Sequence, residues 1–123
     1  MATPELRDMR ATDIVKHSRY VVPRFAGVVA EIDGREIGAA AIVIGDGGRP
    51  FLCLEISDEL RRYPNFMHRV ALKMTQAGVE QMGSLYTIMD ENEPTSERWL
   101  NRLGFADTGE TVEGRKVFKW RSS

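Results

Sequence analysis

Short apolar runs alternate with turn residues along most of the chain, and two stretches switch to helical spacing. Residues 25–32 read FAGVVAEI, Asp33-Gly34 interrupts them, and residues 36–44, EIGAAAIVI, resume the pattern. Asp-Gly tolerates the positive φ of a tight turn, so the two runs are predicted to pair as an antiparallel hairpin. Four small residues, Gly38 to Ala41, leave little bulk on the second run, and a helix or ligand is expected close over it. Gly45-Asp46-Gly47-Gly48 forms the next turn and leads into residues 50–57, PFLCLEIS. On that strand Leu52, Leu54 and Ile56 share one face and Phe51, Cys53 and Glu55 the other. Both faces are largely apolar, which predicts a central strand covered on both sides, with Cys53 a buried core thiol.

Residues 64–82 change period. Met67, Val70, Ala71, Met74 and Ala77 form a stripe at helical spacing, Pro64 suits a first turn, and Gly83 a C-terminal stop. SLYTIM, residues 84–89, reads as a strand, and residues 94–104 as a helix opened by Pro94 and closed by Gly104. Two final strands, 105–110 and 115–120, flank a turn at Glu113-Gly114. Ahead of the hairpin stand a short strand near residues 6–9 and a weakly patterned helix from Thr12 or Asp13 to Tyr20, which Pro23 cannot continue. The order predicts an α/β fold with a mixed sheet: an antiparallel meander, then a βαβαββ unit. The length of 123 residues suits one domain, 1–123, and no repeat or linker divides it.

Composition narrows the partners. Seventeen basic against eighteen acidic residues give a net charge of −1, so the positive field of a nucleic-acid binder is missing and no nucleic acid is expected. No signal-peptide run or bilayer-length apolar stretch occurs, and Cys53 has no second cysteine to pair with, so no membrane and a reducing, cytoplasmic compartment are expected. His17 and His68 lack companions at metal-ligand spacing; they are expected on the surface, with no metal. Trp99 and Trp120 are expected as core-edge anchors. No Gly-x-Ser-x-Gly elbow or Walker loop is present, which sets aside those chemistries.

Three stretches together resemble the GNAT superfamily of acyl-CoA N-acyltransferases. They are the meander FAGVVAEIDGREIGAAAIVI, the length of the run from residue 56 to 66 between strand and helix, and WLNRLGF with its Gly104-Phe105 ending. Ser57-Asp58 after the fourth strand is similar to small phage-encoded acetyltransferase-like proteins. The resemblance implies a GNAT-like sheet whose central strands splay apart, acetyl-CoA or another acyl-CoA as co-substrate, and acyl transfer to an amine. It places the thioester carbonyl and pantetheine arm at the backbone N–H groups of Ile56 and Ser57. It places the pyrophosphate near Arg61 and Arg62 and the N–H groups of Asn65, Phe66 and Met67. The chain departs from the family at three points. Pro64 and Phe66 stand at the two glycine positions of the phosphate loop, Leu100 at a tyrosine used as general acid, and Glu93 at an asparagine, with Asn92 one place off. Proline has no N–H to offer a phosphate, and a phenyl ring takes up space.

Such chemistry needs a base for the amine, a donor for the oxyanion and a proton for the leaving thiolate. Glu55 is the base candidate, since partial burial at the end of a central strand would raise its pKa; a structural ion pair with a neighbouring arginine gives the same signature. Tyr63 and Tyr86 are either substitute acids or core-edge residues. Arg61, Arg62 and Arg69 are either a phosphate-facing cluster or a solvated face partly neutralised by Asp58 and Glu59. The missing glycines and tyrosine keep a second reading open: the same fold as a catalytically inert binding or assembly module, phage-derived or a homodimer.

Overall fold

The computed structural model describes residues 3–8, 27–88 and 96–121. Within them lie β1 (Glu5–Asp8), β2 (Val28–Ile32), β3 (Arg35–Ile44), β4 (Pro50–Ile56), α1 (Pro64–Met82), β5 (Tyr86–Ile88), α2 (Ser96–Leu103), β6 (Phe105–Val112) and β7 (Arg115–Trp120). The helix expected at residues 12–20 and the Pro94 helix start fall outside the described residues.

The strands form one sheet in the order β1-β2-β3-β4-β5-β7-β6. Only β4 and β5 run parallel; every other neighbouring pair is antiparallel. The β2–β3 hairpin closes where the sequence places it, at Asp33 (φ 52°) and Gly34 (φ 77°). The β6–β7 hairpin repeats the device at Glu113 (φ 52°) and Gly114 (φ 78°). Consecutive positive φ values match the right-handed twist of the strands they join.

Both helices lie on one face of the sheet. Ile42, Leu52, Leu85, Phe105 and Phe118 meet Ala71 of α1 and Leu100 and Leu103 of α2 in the main core, with Trp99 and Trp120 at its edge. The residues of α1 nearest the sheet are small: Ala71, Thr75 and Gly78 are buried, while Met67, Val70 and Met74 are half-buried and Ala77 is exposed. The helix face is therefore rotated from the stripe of large residues, because a close approach selects small side chains. At Gly78 a β-carbon would lie 2.7 Å from Ile42 Cδ1. The Thr75 hydroxyl donates to the Ala71 carbonyl within the helix (2.7 Å), which satisfies it under the sheet contact.

Beyond the N-terminal half of α1, Ile56, Leu60, Tyr63, Phe66 and Met67 pack with Ala30, Ile32 and Ile37 of the meander. The opposite face has its own cluster, Val43, Phe51 and Val117 with Tyr86 and Val112. Among the described residues, that cluster reaches no further along β4 than Phe51. Cys53, expected in the core, is exposed, as is Glu55. Alternation fixes which way these side chains point; it does not guarantee that something lies over them.

Candidate active site

β4 and β5 meet at a single ladder position, Phe51↔Tyr86. The Thr87 hydroxyl reinforces that contact by donating to the Leu52 carbonyl (2.9 Å), and beyond it β4 runs on to Ile56 with no further pairing to β5 among the described residues. On its other side β4 stays fully paired with β3 from Ile44↔Pro50 to Gly38↔Ile56. The two central parallel strands thus part, as the resemblance implies.

The direction of each β4 backbone group follows from two hydrogen bonds. Ser57 N–H donates to Ile37 O of β3 (3.3 Å), while the Leu52 carbonyl accepts from β5. Hydrogen-bonding direction alternates along a strand, so Leu54 and Ile56 present their N–H and C=O groups to the gap. Ile56 therefore turns its N–H into the gap, whereas the Ser57 N–H lies inside the sheet. Leu54, absent from the sequence-based set, also faces the gap; two-residue periodicity from Ile56 was the signal for it.

Ser57 has a different job. Its hydroxyl donates to the Ile37 carbonyl and accepts from Leu60 N–H (3.1 Å), which ends β4 and begins the tight turn Leu60–Arg62. Leu60 then lies directly over Gly38, where an added β-carbon would overlap its side chain and stand 2.8 Å from the Glu55 carbonyl oxygen. Over Gly38, the first of the small residues of β3, the close neighbour is this turn. Arg35 clamps it from outside with a two-pronged bond to Glu59 (2.8 and 3.0 Å). The same bond holds the Glu59 carboxyl below its ordinary range.

The turn keeps most of its own amides. Leu60 N–H goes to Ser57 Oγ, Arg61 N–H to Ser57 O, Arg62 N–H to Glu59 O and Tyr63 N–H to Leu60 O. Met67 N–H donates to Tyr63 O (3.0 Å), so it too is committed, contrary to expectation. The residue at the N-cap of α1, Tyr63, makes no side-chain capping bond. The N–H groups of Asn65 and Phe66 are left without a backbone acceptor among the described residues, as the first turn of a helix dictates. Arg61 bonds Asp58 (2.7 Å), while Arg62 and Arg69 are exposed. Phe66 packs against the cluster of Leu60, Ala30, Ile32 and Ile37.

Across the other flank, Trp99 Nε1–H on α2 donates to His68 Nδ1 on α1 (3.1 Å). His68 is half-buried and bonded rather than a free surface histidine. Leu100 is buried in the main core. Tyr63 packs at the edge of the second cluster. Tyr86 lies at the root of the gap, 5.6 Å from the Phe51 ring, with the Arg49 guanidinium 5.0 Å from its centroid. Glu55 and Cys53 share the face opposite the helices. Partial desolvation and the Glu55 charge push the Cys53 thiol above its usual range, which keeps it a weak nucleophile at neutral pH.

Beneath the start of α1 lies a small apolar recess that opens to solvent. It runs from Leu6 and Val28 over Ala40 and Leu54 to Trp99, with Phe66 and Met67 of α1 along its wall.

No family sequence model matches the chain, and no curated protein sequence matches it. Solved structures do. One is a protein assigned as a phosphinothricin N-acetyltransferase, with a TM-score of 0.70 at 14% identity over 98% of this chain and 99% of that one. An acyl-CoA N-acyltransferase from Pseudomonas aeruginosa matches with a TM-score of 0.65 at 11% identity, over 98% of this chain and 100% of the other. The ribosomal-protein-S18-alanine N-acetyltransferase of Escherichia coli follows the same course, with a TM-score of 0.63 at 11% identity over 96% and 93%. The chain has the GNAT fold, and its own mixed sheet parts at the parallel pair β4–β5. Among the described residues no helix is long and apolar enough to cross a membrane.

Proposed function

We propose that the protein is an N-acyltransferase that moves an acyl group from an acyl-coenzyme A to an amine. The observation that carries this reading is the gap itself: β4 and β5 pair once and part, leaving the Leu54 and Ile56 amides facing the opening. A thioester and pantetheine arm are hydrogen-bonded there as a short extra strand would be, with an amide positioned for the carbonyl oxygen as it becomes an oxyanion. The pyrophosphate falls to the Asn65 and Phe66 N–H groups and to Arg62, a smaller anion site than a glycine loop builds. Glu55, at the end of β4 on the face away from the helices, accepts the proton of the amine, directly or through water. The amine nitrogen bonds to the acyl carbon, the carbon–sulfur bond breaks, and the thiolate takes its proton from solvent, because buried Leu100 has none to give. Glu55 is exposed, so its role rests on position rather than on burial.

Calorimetric titration with acetyl-CoA and coenzyme A, followed by transfer assays on primary amines, tests this. Binding is expected, and Glu55→Gln is expected to retain it while losing roughly 100- to 10,000-fold in transfer rate. No heat at millimolar cofactor overturns the reading. That result favours an inert module, the reading to which Pro64 and the self-satisfied turn lend support.

A further inference from the structure

We infer that the recess beneath α1 is an acyl-chain subsite, and that the donor carries a hydrocarbon chain longer than acetyl. The inference rests on the acyl-CoA reading above and names the substrate class for the same site. The recess exists because its walls are small where they need to be. Ala40 on β3 and Ala71 on α1 both line it, and each brings no more than a methyl group to the space. Leu54 and Ile56 connect it to the chemistry: their side chains line the recess while their amides face the gap. An acyl carbon held at those amides therefore has the recess as its nearest apolar surroundings.

The character of the walls selects the occupant. Val28, Leu54, Val70 and Trp99 offer hydrocarbon or ring, and the Trp99 N–H is already bonded to His68. Glu55 borders the space, but its side chain belongs to the opposite face of β4. An ammonium group or a phosphate entering here would lose its hydration with nothing to replace it, whereas a methylene chain gains by burial.

The test is affinity against chain length. Acetyl-, propionyl-, butyryl- and hexanoyl-CoA are titrated calorimetrically into the full chain. Each methylene that enters the recess is expected to tighten binding about fourfold, until the space is full. Acetyl-CoA binding with equal or weaker affinity for every longer chain overturns the subsite and leaves the acyltransferase reading standing. Failure of all the thioesters overturns both. Val70→Phe, which fills the recess from its half-exposed rim, is expected to bring the butyryl-to-acetyl affinity ratio to about one. An undiminished ratio in a variant with a normal thermal transition places the chain elsewhere and overturns the assignment.

Discussion

At Gly38 a β-carbon would stand 2.8 Å from the Glu55 carbonyl and collide with the Leu60 side chain. The backbone there is not in the left-handed region, so what requires glycine is space alone. Gly38→Ala is expected to destabilise the fold by about 1–3 kcal/mol, the usual cost of overpacking. Urea unfolding measures it, and the partner is identifiable. In a double-mutant cycle Leu60→Ala removes the colliding group, so the pair is expected to cost less than the sum of the single changes. Additive costs would mean that the Glu55 carbonyl, not Leu60, sets the limit.

The unit from β4 through the tight turn to α1 combines what was readable in the chain and what was not. The helix bounds, Pro64–Met82, coincide with the expected span, because a proline that favours the first turn and a glycine that favours the stop are local signals. The Asp33-Gly34 turn was legible for the same reason. β5 was expected over residues 84–89 and, among the described residues, begins later, at Tyr86, since where two parallel strands pair depends on what packs between them. The exposure of Cys53 and the inward N–H of Ser57 also depend on neighbours remote in sequence. Ser57 looked like a ligand-binding position and is a hinge pin: one hydroxyl ties the end of β4 to β3 and to the turn. Ser57→Ala leaves the Leu60 N–H and the Ile37 carbonyl each one partner short, and is expected to cost about 1–3 kcal/mol. Hydrogen exchange at the Leu60 amide is expected to quicken in this variant, and Ser57→Thr to restore both values. Unchanged exchange would show that the turn is held by Leu60 packing and Arg35 alone.

A sheet that parts in its middle must be held together by something other than its ladder. The meander, β1 to β4, and the second half, β5, β7 and β6, share one register position between them, together with the contacts of the helices that span both. On the face opposite α1 and α2, Arg49 ties the two halves together. Its guanidinium lies 5.4 Å from the Phe51 ring and 5.0 Å from the Tyr86 ring, and it grips Glu110 of β6 with two bonds of 2.8 and 2.9 Å. That grip holds the Glu110 carboxyl below its ordinary 4.5. A carboxyl depressed in the folded state contributes stability that is fully present above its unfolded pKa and lost as pH falls through the folded one. The wild type is therefore expected to melt above Glu110→Gln by a constant margin at pH 6 and higher. The margin should shrink below pH 4.5 and vanish once both chains are uncharged at this position. Melting curves that stay parallel down to pH 3 would show that the two halves are joined by the helices and the Phe51–Tyr86 contact, with the ion pair an ornament of the surface.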